Sequence, residues 1–182
     1  MARRIHLFDH PDRFVADAVG QPGQRTFYLQ AREGERIVTV VLEKTQVVVL
    51  AQRLLELLEA VGRRGLELPP DPSGADDASP LDEPLDEAFR VGTIALGWDV
   101  ERGQAMVETR AEVEDDDDPG ELADDAPEGY DLVRVFLGAP AVRAFARRAA
   151  RVAAAGRPPC PMCGQPLDPQ GHLCPRRNGY VH

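Results

Sequence analysis

The sequence predicts an α+β fold. Two pseudo-repeated strand–strand–strand–helix units form a mostly antiparallel sheet with helices on one face, and a cysteine-bearing tail follows. Three observations predict it. Segments of alternating apolar residues come in two runs of three, each run leads into a stretch with helical periodicity, and all three cysteines fall within residues 160–174.

The elements follow in order. "RIHLF" reads as a short strand. "DRFVADAVG", the turn "QPGQ", "RTFYLQAR", the turn "EGE" and "RIVTVVLEK" read as a three-stranded antiparallel meander. A helix follows, with Thr45 as its expected N-cap. Val47, Leu50, Leu54, Leu57 and Val61 share one apolar face, and Gly62 and Gly65 end it. The pattern then returns as "AFRVGTIALGWDV", a turn at "ERG", "QAMVETRAEV" and "DLVRVFLG". The second helix starts at Pro140 and faces the core with Val142, Phe145, Ala149 and Val152. A shift of 95 residues aligns Leu42 with Leu137, Val47 with Val142, Ala51 with Ala146 and Arg53 with Arg148. Two helices on one face of such a sheet bury both apolar stripes. The expected domains are residues 1–157, carrying sheet and helices, and a tail of residues 158–182.

The net charge of −10 is unevenly spread. Residues 1–70 carry ten basic and nine acidic groups, residues 71–131 three and twenty-one, and residues 132–182 eight and one. The negative excess lies in segments near 71–86 and 114–129, which lack apolar content. They are expected to be solvated, dispensable loops without regular structure. Neither has calcium-loop spacing. One lysine stands against twenty arginines. Nothing resembles a signal peptide or a membrane span, so three clustered thiols point to a reducing cytoplasm, where they serve as metal ligands or redox groups rather than disulfides.

The tail reads "CPMCGQPLDPQGHLCPRRNGY". Cys160 and Cys163 form C-x-x-C with Gly164 directly after, a turn in which two thiolates and nearby N–H groups converge on one ion. His172 and Cys174 at i and i+2 of an extended segment point the same way. Together they make a Cys3His set that closes a tetrahedron, the arrangement of a structural Zn2+. A thioredoxin-like pair needs a helix after the motif, and Pro166 and Pro169 forbid it. An open catalytic zinc with three cysteines and a water is the remaining metal alternative.

Other candidate residues are weaker. His6, Asp9 and His10 lie in "HLFDHPDRF", a metal or phosphate site if they converge and an ordinary turn after a strand if they do not. Arg143, Arg147 and Arg151 recur at i, i+4 and i+8 of the second helix. That stripe can hold phosphate, stay solvated, or dock the chain's own acidic segments. Nucleic acid is an unlikely partner, given the net charge and the lack of aromatics among the arginines. No phosphate-binding glycine loop, nucleophile elbow or metalloprotease motif occurs.

The opening "RRIHLFDHPDRFVADAVGQPGQRTFYLQA", the "LEKTQVVVLAQRLLELL" helix and the closing cysteine motif together resemble the uncharacterised actinobacterial family catalogued as domain of unknown function 3090. The resemblance covers essentially the full length. What it implies is limited. The family has no assigned reaction, and its members occur beside a phosphatidylinositol-kinase-like and a histidine-phosphatase-like protein.

Two function classes remain. One is a cytoplasmic adaptor or regulatory module without catalysis of its own, whose zinc-clamped tail contacts a protein partner. The other is an enzyme or a binding protein for a small, phosphate-bearing ligand, with its site between the two halves near the His/Asp cluster and Arg25. An enzyme or ligand site requires a pocket where distant polar groups converge.

Overall fold

The computed structural model describes residues 3–71, 76–112, 129–156, 158–165, 167, 174 and 176. Its regular elements are β1 (Ile5–Phe8), β2 (Arg13–Val19), β3 (Thr26–Glu33), β4 (Arg36–Leu42), α1 (Lys44–Arg63), β5 (Glu87–Asp99), β6 (Gln104–Ala111), β7 (Leu132–Leu137) and α2 (Ala139–Ala154). The strands form one mixed sheet in the order β1-β7-β6-β5-β4-β3-β2. Pairing is antiparallel within β2-β3-β4 and within β5-β6-β7, and parallel where β4 meets β5 and where β1 meets β7. The fold is therefore α+β and mostly antiparallel, with a helix after each three-stranded run.

Alternation sets the two faces of the sheet. Phe14 and Ala16 of β2 pair with Ala31 and Leu29 of β3, which pair in turn with Val38 and Val40 of β4. These residues join Val107, Val133 and Val135 and the buried stripes of both helices in a single core. Val47, Leu50, Leu54, Leu58 and Val61 are buried on α1, and Val142, Phe145 and Ala149 on α2. Helix α1 begins one residue before the expected cap. Glu43 is the N-cap, and its N–H donates to Oε1 of Gln46 at 2.7 Å, a bond Thr45 could not make from inside the first turn.

The sheet is curled. A flat seven-stranded sheet would hold β1 and β2 roughly 29 Å apart. Only five residue steps join Phe8 to Arg13, a reach of at most about 18 Å. The two edges approach, and β1 touches β3. The curl brings β3 and β4 to face β6 and β7 across a void of about 10 Å³, lined by Phe14, Leu29, Val40, Val107, Thr109 and Val135 among others. Arg36 closes the seam. Its guanidinium lies 4.1 Å from the Phe8 ring centroid and donates to the Leu7 carbonyl.

One acidic segment departs from the expectation of a solvated loop. Residues 76–86 have no helix or strand, yet residues 76–82 are docked on the far face of β2 and β3. Gln30, 1% exposed, donates to the Asp82 carbonyl at 2.9 Å and accepts from the Asp82 N–H at 2.8 Å. Arg13 binds Asp77 at 2.6 Å and Asp82 at 3.0 Å, and Leu81 is buried. Composition reads such a run as soluble because its partners are arginines remote in sequence. The acidic segment near 114–129 lies outside the described residues, apart from Gly129.

Candidate metal centre

The tail is held first by its backbone. Gly164 adopts φ +74°, and its N–H donates to the Cys160 carbonyl at 2.8 Å. The Cys160 N–H reaches the Gln165 carbonyl at 2.7 Å, and the Leu167 N–H reaches that of Pro158 at 2.8 Å. This turn aims Cys160 and Cys163 at one point, to which Cys174 returns. The three sulfurs lie within 4.8 Å of one another, with Cys160 Sγ and Cys174 Sγ 3.9 Å apart. Cys160 and Cys174 are buried and Cys163 partly so, and no disulfide joins them.

The backbone N–H groups of Cys163 and Met162 donate to Cys160 and hold its thiol below the usual range, against the opposing effect of burial. At Cys163 the Gln165 N–H pulls the same way, but burial and the two neighbouring sulfurs outweigh it and raise that thiol. Three sulfurs with N–H donors behind them match the donor set of a thiolate-bound metal. His172, the expected fourth ligand, lies outside the described residues. Among the described residues no other group of histidines, cysteines and carboxylates gathers for a metal.

The weaker candidates are dispersed. His6 is half-buried on β1, and burial lowers its imidazole. Asp9 pairs with Arg102, and the exposed His10 contributes its N–H to Glu33 at 2.7 Å. The Gly34 N–H binds Asp12 at 2.7 Å, so "DHPD" fastens the β1–β2 turn to the β3–β4 turn. On α2 the arginine stripe meets the chain itself. Arg143 donates to the Pro69 carbonyl at 2.7 Å, Arg147 pairs with Asp71 and Asp76, and Arg151 pairs with Asp76. Arg25 donates to the Val152 carbonyl at 3.1 Å and stacks on Phe27.

Two buried polar clusters went unnoticed in the sequence. Glu108, fully buried, binds Arg110 at 2.8 Å and Arg134 at 2.7 Å. Arg148, 4% exposed, binds Asp17, Asp77 and the carbonyls of Ala16, Asp77 and Ser79. Its place on the buried side of α2, off the stripe of Arg143, Arg147 and Arg151, was the available signal.

Fold and site define an α+β protein with a curled mixed sheet and a C-terminal thiol cluster suited to a metal ion. A family model described as a protein of unknown function, DUF3090, matches residues 6–174, and the chain belongs to that family. Comparison with curated proteins and with solved structures finds no match. No helix among the described residues is long and apolar enough to cross a membrane.

Proposed function

We propose that this chain is a zinc-binding cytoplasmic adaptor or regulatory module without catalysis of its own. Structural Zn2+, bound by Cys160, Cys163, Cys174 and His172, clamps a tail that contacts a protein partner. One observation carries the reading. Zinc–sulfur bonds of about 2.3 Å in a tetrahedron place sulfurs ~3.8 Å apart, and Cys160 and Cys174 stand at 3.9 Å. Three thiols crowded so closely repel one another as thiolates unless a cation sits among them. A set closed by His172 leaves no position for substrate, which favours a structural role over a catalytic one.

The scaffold reading is a duplication. Leu42 and Leu137 end β4 and β7 at 2% and 1% exposure, and Val47 and Val142 are both fully buried one turn into α1 and α2. Equivalent positions carrying equivalent burial support two copies of one unit. The decisive experiment pairs metal analysis of untagged protein with capture of partners from native extract, comparing wild type with Cys163→Ser. Stoichiometric zinc and a partner lost in the variant support the module. Absence of zinc, or a partner retained by a metal-free tail, counts against it.

A further inference from the structure

A second site lies between the first run of strands and the second helix. A cavity of about 310 Å³ opens there, walled by Asp17, Ala18, Arg25, Ala78, Arg148 and Arg151 with neighbouring residues of α2. Three arginines converge on it, Arg25 from the β2–β3 turn and Arg148 and Arg151 from α2, and its remaining wall is largely small and apolar. The two carboxylates in the wall are already committed. Asp17 binds Arg148 at 2.6 Å, and Asp77 binds Arg13 at 2.6 Å and Arg148 at 3.2 Å. Arg148 is likewise spent on these groups and on backbone carbonyls.

Arg25 and Arg151 are only partly engaged. Arg25 makes one bond, from Nη1 to the Val152 carbonyl, and its Nε and Nη2 have no hydrogen-bond partner among the described residues. Arg151 holds Asp76 in an exposed, solvent-screened pair and touches the Asp77 carbonyl. The C-terminal end of α2 would by itself repel an anion. Two cations offset it: a Cβ on Gly156, just past that end, would lie 3.2 Å from Arg25 Nη2 and 3.3 Å from Lys44 Nζ.

We propose that this cavity binds a small organic oxyanion, a phosphate or carboxylate group held between the guanidinium groups of Arg25 and Arg151. Guanidinium forks match the paired oxygens of either group, and the cavity has room for the carbon skeleton behind it. The site is separate from the tail and does not depend on the metal reading.

The test is titration of the full-length protein at low ionic strength with inorganic phosphate, glycerol 3-phosphate and citrate, followed by NMR of the arginine side chains. Saturable binding that shifts Arg25 and Arg151 is expected, weakened about tenfold or more by Arg25→Gln or Arg151→Gln. Arg53→Gln, on the exposed face of α1, leaves it unchanged. Tighter binding of the two phosphates assigns a phosphoryl ligand, and tighter binding of citrate assigns a carboxylate. Thermal melts of each variant show that the fold survives. No saturable binding of any probe, or binding equal in all variants, overturns the proposal.

Discussion

Arg148 Nη2 lies 2.6 Å from Asp17 Oδ2, which joins the second helix to the edge strand of the first three-stranded run. The same guanidinium takes the Ala16 carbonyl at 3.1 Å through Nε and the docked acidic segment through the Asp77 and Ser79 carbonyls. One side chain thereby caps an exposed strand edge and fastens the segment that covers it.

Replacing Arg148 with Met should destabilise the protein by about 3 kcal/mol, because Asp17 Oδ2 and the Ala16 carbonyl lose their partner in a largely buried place, while the Asp77 and Ser79 carbonyls keep only Arg151 and Arg13. Asp17 and Asp77 keep some contact with water, which holds the loss at the lower end for buried pairs. Denaturant unfolding measures it. Exchanging residues 76–82 for a glycine–serine linker should be as damaging, since it strands both Gln30 and Arg148. A melting temperature unchanged in both variants would show that the segment merely rests on the surface.

Thr109 makes the opposite case. It is 1% exposed, lines the apolar void inside the curl, and its hydroxyl has no hydrogen-bond partner among the described residues. Thr109→Val removes a buried polar group and keeps the shape, so it should stabilise by about 1 kcal/mol. A destabilised variant would mean that the hydroxyl is satisfied, for instance by a water in the void.

How far the sequence foretold this molecule depends on distance along the chain. Alternation and helical periodicity are local, so the strands from Arg13 to Leu42 and the stripe from Val47 to Val61 were legible. The pairing of Ile5 with Leu132 joins residues far apart, and no local pattern announces it. The same holds for Gln30 reading the backbone of Asp82, and for that reason local composition alone makes an aspartate-rich run look solvated. The pairing of Cys160 with Cys163 was legible because C-x-x-C-G encodes its own turn. Arg25 and the stripe that carries Arg151 are both visible in the sequence, but their common cavity exists only once α2 packs on β2.

His6 predicts a pH dependence. Burial lowers its imidazole, Arg36 and Arg4 push the same way, and Asp131 opposes them. The unfolded chain takes up its proton near pH 6.5, whereas the folded chain resists protonation to lower pH. Stability from this group is therefore complete above that value and declines as the pH falls through it toward the folded pKa. Melting temperatures from pH 7.5 to 5.5 should fall less steeply in His6→Gln than in wild type. Equal slopes would assign the dependence to other groups.

The metal prediction turns on the tail's shortage of apolar surface. Of its residues, Met162 is 47% exposed, and the turn at 158–167 rests on three backbone bonds and the cysteine cluster. Metal binding should then supply most of its ordering free energy. Purified protein should carry about one zinc per chain, and a chelator or Cys163→Ser should make the turn sensitive to protease while the sheet keeps its melting transition. His172→Ala should retain three sulfur ligands, weaken zinc as judged by competition with a chelator, and shift the absorption of the cobalt-substituted protein as a nitrogen ligand gives way to water. An unchanged cobalt spectrum would remove His172 from the ligand set. Three thiols that all react with a thiol reagent, in protein lacking stoichiometric zinc, would leave the cluster without its ion and the tail without its clamp.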